Sequence, residues 1–154
     1  MKLREYKPSD LAIMTKLFYD TVHTINAKDY TNEQLDVWAT GNIDLAAWNC
    51  SFLEHNTLIA EIDVKIVGFA DMDKAGYLDR LYVHKDFQHE GIATALVNEL
   101  EQLARKASVF NFETYSSITA KCFFEKRGYV VESENKVIRN GIILVNYKMV
   151  KSSQ

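Results

Sequence analysis

The residues with the clearest chemical potential in this chain are Gln88-His89-Glu90-Gly91-Ile92-Ala93, which lie between a strand-like run and a helix-like one. Ile92, Leu96, Leu100, Leu103 and Ala107 recur at three- and four-residue steps, an apolar helical stripe, so Gly91 stands where a helix begins. The first amides of a helix lack internal partners and sit at its positive end, and small residues such as Gly91 and Ala93 let a ligand come close to the backbone. A phosphate is the natural ligand of such a place. Glycine also opens ordinary capping turns, so these six residues alone leave both readings open. Two better-known phosphate loops are excluded. No G-x-x-x-x-G-K-[ST] occurs, and G-x-G-x-x-G fails because Asp86 and Gln88 stand where its earlier glycines belong.

Other chemistries have less support. His23, His55, His84 and His89 are isolated in sequence, without H-x-x-x-H spacing, so no metal is expected. Cys50 and Cys122 have no C-x-x-C neighbours and read as free thiols, Cys122 as a buried structural one. No nucleophile has a visible partner, which argues against a covalent enzyme intermediate.

The elements that must position the loop follow from periodicity. Tyr77 to Val83 alternates as a strand, with Tyr77, Asp79, Leu81 and Val83 expected on one face and Leu78, Arg80 and Tyr82 on the other. Before it, Thr57–Ile62 and Ile66–Met72 read as a hairpin, giving a three-stranded antiparallel meander. After the long helix, Ser108 to Tyr115 reads as a strand returning parallel to the central one. Thr119 to Arg127 reads as a short helix, and strands Tyr129–Val137 and Ile142–Met149 flank Asn140-Gly141, a strong hairpin signal. Upstream, a short strand near Leu3 precedes a helix with Leu11, Met14, Leu17, Phe18, Val22 and Ile25 on its apolar face. A second helix is capped by Thr31 with Gln34 three residues on, and Leu45 to Leu53 is a third short helix or an irregular packed segment.

A hydrophobic strand ending in V-H-K-D-F, then Q-x-x-G-x-A and a long amphipathic helix, resembles the acyl-CoA signature of the GNAT superfamily of N-acetyltransferases. Ser117 to Tyr129 is similar to that family's later N-x-x-A-x-x-F-Y-x-x-x-G-F segment, matching at Ala120, Phe123, Gly128 and, conservatively, Tyr129. With the flanking strands the likeness covers nearly the whole chain, by element order more than by residues before about Thr57. It implies an α/β (α+β) fold: a mixed, mostly antiparallel sheet of about seven strands with flanking helices, splayed at the central strands. The cofactor, acetyl-CoA, would enter the split. The diphosphate would be cradled by Gln88, His89, Glu90, Gly91, Ile92, Ala93 and Thr94, with pantetheine along the main chain of Leu81, Tyr82 and Val83. Ser117 and Phe124 would complete the cofactor site.

The same resemblance frames the proton chemistry. An amine of pKa about 10.4 is neutral only on the order of one part in a thousand at pH 7, so a base helps. Asp79 lies where many members of the family carry a glutamate and is the preferred base, acting through water; the alternative is a surface pair with a nearby arginine or lysine. Phe124 stands where the family often has a tyrosine that protonates the leaving thiolate, which leaves that task to Tyr115 or a water. A thiol of pKa about 8.5 is a fair leaving group in any case. Glu90 also departs from the pattern, since a carboxylate beside a diphosphate repels it unless it points outward. Tyr19, His23, Tyr30, Trp38 and Trp48 occupy the region that walls the acceptor site in the family, and suit a flat or apolar acceptor; they serve equally well as core.

At 154 residues, 47% hydrophobic and 25% charged, the chain has the size and composition of one ordinary globular domain, expected over residues 1–150 with a frayed tail at 151–154. The net charge of -3 and the lack of a basic block argue against nucleic acid as a partner. Charges interrupt the N-terminal region, and no apolar run reaches the roughly 20 residues that span a bilayer, so a cytoplasmic location without membrane contact is expected. The expected activity is acetyl-CoA-dependent N-acetylation of a small-molecule or protein amine by direct attack, with a homodimer left open. The rival readings are a CoA-binding sensor that has lost catalysis and an aromatic-ligand binder without CoA.

Overall fold

A computed structural model describes residues 1–152. Its strands are β1 (Lys2–Glu5), β2 (Asn56–Ile62), β3 (Lys65–Met72), β4 (Tyr77–Val83), β5 (Asn111–Ser117), β6 (Val130–Arg139) and β7 (Ile142–Ser152). The helices are α1 (Leu11–Thr24), α2 (Asn32–Trp38), α3 (Leu45–Glu54), α4 (Ile92–Lys106) and α5 (Lys121–Lys126). The seven strands form one sheet in the order β1-β2-β3-β4-β5-β7-β6. All pairs are antiparallel except β4 and β5.

Local chemistry accounts for most of these boundaries. Thr31 accepts from the Gln34 amide while the Gln34 side chain accepts from the Thr31 amide, the reciprocal cap expected from their spacing. Asp44 caps α3 through the Ala47 amide, so Leu45–Glu54 is a regular helix rather than an irregular segment. Asn140 and Gly141 both take positive φ, 49° and 77°, as a tight hairpin turn requires.

The sheet separates two cores. Leu58, Val67, Leu78, Leu96, Leu100 and Phe112 pack on the α4 side, and Met14, Phe18, Phe52, Ile59 and Phe69 on the side covered by α1 and α3. Leu96 and Leu100 are fully buried, and each such side chain contributes roughly 1.5–3 kcal/mol of transfer free energy. Gly68 on β3 sets where α4 begins. A Cβ there would lie 2.9 Å from Ile92 Cγ2, so the glycine lets the helix start settle onto the sheet.

The ends of several elements differ from the sequence reading. β5 begins at Asn111 because Ala107 and Ser108 close the turn after α4, and it runs on to Ser117. β7 continues to Ser152, with Phe112 opposite Lys151 and Asn111 opposite Ser152, so Lys151 and Ser152 belong to the sheet rather than to a frayed tail. Positions 153 and 154 of that expected tail lie outside the described residues. Cys122 is exposed, not buried, because it lies on the outer side of α5.

Candidate active site

β4 and β5 stay together for only two residue pairs, Tyr77 with Glu113 and Leu78 with Thr114, with Thr114 Oγ1 donating to the Leu78 carbonyl at 2.9 Å. Beyond that point they part. The cause is visible on the other edge of β4, where β3 pairs Asp71 with Arg80 and Met72 with Leu78, leaving Asp79 as an extra residue. Such a bulge bends the strand and re-aims its side chains. Strict alternation is lost here. Leu81 and Val83 pack on the same core as Leu78, whereas Tyr77, Asp79, Arg80 and Tyr82 line a cavity on the other side. The expected face of Tyr77, Asp79, Leu81 and Val83 is therefore corrected: the extra residue shifts the parity of everything after it.

A cavity of about 510 Å³ fills the split. Leu81, Tyr82 and Val83 line one wall, Ser117 and Phe124 the other, and Gln88, His89, Gly91, Ile92, Ala93 and Thr94 its far end. Asp79 and Tyr115 line it as well. Of the site residues expected from sequence, Glu90 alone does not line this cavity; it is exposed, in keeping with an outward carboxylate.

The far-end loop is built by its own side chains. Gln88 Nε2 donates to the carbonyls of Val83 at 2.8 Å and His84 at 3.3 Å, and the Asp86 amide donates to His84 Nδ1 at 3.1 Å. His89 and Gly91 adopt positive φ, 62° and 81°, which turns the chain sharply into α4. No heavy atom lies within 4 Å of a Cβ built on Gly91, so the space above the loop is open. This is a suitable anion cradle, with helix-start amides and no side chain in the way.

A second cavity, of about 330 Å³, opens on the α1–α3 side. Phe18, Tyr30, Trp38, Trp48, Tyr77 and Tyr82 supply aromatic walls, and Val137, Arg139 and Leu144 to Asn146 close it from the β6–β7 hairpin. Tyr30 holds this wall in place. Its hydroxyl donates to the Val145 carbonyl at 2.8 Å and accepts from the Ile118 amide at 2.9 Å. Of the early aromatic residues, Tyr30, Trp38 and Trp48 reach the cavity, while Tyr19 and His23 stack on each other away from it, 4.2 Å between ring centres. The two cavities share Trp38, Asp79, Tyr82, Tyr115 and Ser117, so they meet at the bulge.

Beneath the meeting point lies a charge cluster that the sequence does not announce. Asp71, fully buried, accepts through Oδ2 from His55 Nδ1 and from Arg80 Nη1, both at 2.8 Å. Arg80 Nη1 also approaches Asp79 Oδ2 at 3.3 Å and Ser51 Oγ at 3.2 Å. The Arg80 guanidinium lies in the corner between Trp48 and Phe52, 4.6 and 4.9 Å from their ring centres, with the two rings at 89° to each other. Ligand atoms of His55, Asp71 and Asp79 fall within 4.8 Å of one another, so His55 is not isolated in space; Arg80 places a fixed cation in the same group.

Burial raises the Asp79 carboxyl above the ordinary aspartate range, and nearby Asp71 adds to this, while Arg80 opposes it. The ion pair with Arg80 and a role as base are thus compatible, since the carboxylate remains at the cavity wall. Burial also pushes the Tyr77 phenol up to about 12 and the Tyr82 phenol higher still, which keeps both as hydroxyl donors at neutral pH. Among the missed residues, Asp71 had a faint signal as a carboxylate inside the apolar run Ile66–Met72, whereas the hairpin residues Arg139 and Asn146 had none.

The comparisons agree with this architecture. The family model for the acetyltransferase (GNAT) domain matches residues 26–151. An uncharacterized N-acetyltransferase of Escherichia coli K12, YafP, is 28% identical over 149 residues, covering 97% of this chain and 94% of that protein. A crystal structure of a GCN5-related N-acetyltransferase from Rhodopseudomonas palustris has a TM-score of 0.93 and 36% identity, covering 98% of this chain and 94% of that one. PaiA N-acetyltransferase from Thermoplasma acidophilum, solved with coenzyme A, has a TM-score of 0.82 at 18% identity, covering 98% of each chain. YncA of Salmonella typhimurium, a putative acetyltransferase solved with acetyl-CoA, has a TM-score of 0.72 at 16% identity, covering 99% of this chain and 93% of that one. The family model spans most of the chain and the Rhodopseudomonas palustris enzyme shares its fold along nearly all of it, so the chain belongs to the GNAT family of N-acetyltransferases.

Proposed function

We propose that this enzyme transfers the acetyl group of acetyl-CoA to an amine that reaches the thioester from the second cavity. The observation that carries the reading is the meeting of the two cavities at Asp79, Tyr82, Tyr115 and Ser117. The complexes of PaiA with coenzyme A and of YncA with acetyl-CoA support the choice of co-substrate. Bound acetyl-CoA supplies an activated thioester, whose carbonyl carbon forms the new C–N bond as the C–S bond breaks.

The chain's own groups do the rest. The amides of residues 89–94 hold the diphosphate at the start of α4, where the helix dipole favours negative charge. The part of β4 freed by the split leaves main-chain groups of Leu81 and Val83 for pantetheine. Asp79 takes the proton lost by the amine, directly or through water, and its raised carboxyl suits a base working near neutrality better than an ordinary aspartate. Tyr115, at the wall of both cavities, is placed to donate a proton to the departing sulfur in place of the phenol that Phe124 lacks.

Calorimetric titration of acetyl-CoA into the protein and into Gly91→Glu tests the cradle, with free-thiol release followed against a pool of amines. Binding lost in the variant together with amine-dependent thiol release is the expected result. Tight binding without release from any amine would instead favour the CoA-binding sensor that Phe124 suggests.

A further inference from the structure

Resting on that reading, we infer that the acceptor is a small α-amino acid with a flat apolar side chain, its amine at Asp79 and its carboxylate on Arg80. The bulge makes this pairing possible. Consecutive strand residues normally face opposite ways, yet Asp79 and Arg80 line the same cavity. Asp79 lines both cavities and Arg80 the second alone, so the carboxylate stands at the junction and the guanidinium one step behind it. An α-amino acid carries its ammonium and carboxylate on one carbon, the same order of charges at the same short range.

Arg80 is equipped to take the carboxylate. All of its polar contacts are made through Nη1, so the N–H groups of Nε and Nη2 have no protein partner among the described residues. Trp48 and Phe52 meet at 89° and pack the guanidinium into the corner between them, which restricts its position. Asp71 shares its Oδ2 between Arg80 and His55, and Asp79 meets the same Nη1, so both carboxylates sit at one corner of the guanidinium and leave its other edge open. A planar fork with an open edge is suited to a carboxylate. The remaining cavity is aromatic, and its volume of about 330 Å³ lies near the lower end of small-ligand pockets, roughly 300–1,000 Å³, enough for one amino acid and too little for a folded tail.

The test titrates L-phenylalanine, L-tryptophan and phenethylamine into the CoA-loaded protein by calorimetry, with acetyl-CoA turnover of each followed by thiol release. The amino acids should bind and react about tenfold to a hundredfold better than phenethylamine, the range of a charge-assisted hydrogen bond. That preference should collapse in Arg80→Gln and persist in Arg139→Gln, with acetyl-CoA binding confirming that each variant is folded. Phenethylamine binding as well as or better than the amino acids, no binding of any of the three, or a preference that follows Arg139 would overturn the assignment. Amino acid binding that depends on Arg80 but leads to no thiol release would uphold the subsite and refute the transfer reading instead.

Discussion

Two buried carboxylates, one on each side of the sheet, are treated in opposite ways. Under α4, Glu101 is 1% exposed and both its oxygens are used: Oε1 faces Lys151 Nζ at 2.7 Å and Arg105 Nη1 at 3.6 Å, and Oε2 accepts from the Tyr129 hydroxyl at 2.9 Å. Under α3, Asp71 is fully buried, yet Oδ2 collects both its donors and Oδ1 has none among the described residues. An unpaired buried acceptor costs free energy, so a fold retains one where something else is gained. The Glu101 cluster lines neither of the two cavities and fastens α4 to β7. The Asp71 cluster holds Arg80 against the second cavity with donors to spare. The saturated Glu101 cluster is a structural clamp, whereas the Asp71 cluster borders a cavity through Arg80.

That contrast can be broken by mutation. Glu101→Ala strands Lys151 and the Tyr129 hydroxyl, and should lower stability by about 3–5 kcal/mol, read as a fall in the urea midpoint. The surviving folded fraction should bind acetyl-CoA normally, because Glu101 does not line either cavity. Asp79→Asn should do the reverse, with kcat/KM falling on the order of 10²-fold while the unfolding midpoint barely moves. It should also remove the acidic limb of the pH profile. In the unaltered enzyme that limb lies above the ordinary aspartate range, because burial raises the Asp79 carboxyl. A limb at the pKa of a free aspartate would argue against Asp79 as base.

The smallest effect concerns His55. Its hydrogen bond to Asp71 raises its pKa above the unfolded value, with burial opposing. The sign follows directly: the protonated ring stabilises the fold below about pH 6.5, and the contribution is lost as pH rises through the higher folded pKa. Melting temperatures of the protein and His55→Gln should therefore converge as pH increases through that window. A constant difference across it would show that the pair does not titrate with folding.

The sequence by itself determined the parts that depend on near neighbours. The cap formed by Thr31 and Gln34, the Asn140-Gly141 turn, the α4 stripe and the glycine-opened loop before it all rest on contacts within a few residues, and the spacing of types displays them. The family's two segments were legible in the same way, and it was the resemblance they carry that implied the split between β4 and β5 and the residues lining its cavity. Only the tertiary structure decided what depends on pairing across the sheet. β3 has no residue to match Asp79, so β4 bulges there, its later side chains change face, and Arg80 joins Asp79 at one cavity. Nothing in Tyr77-Leu78-Asp79-Arg80-Leu81 predicts that slip, because a bulge is a property of two strands in register. Likewise β7 reaches Ser152 because β5 is there to pair with it, and His55 meets Asp71 because α3 ends above β3. These are long-range contacts, and a single strand's pattern holds no record of its partner.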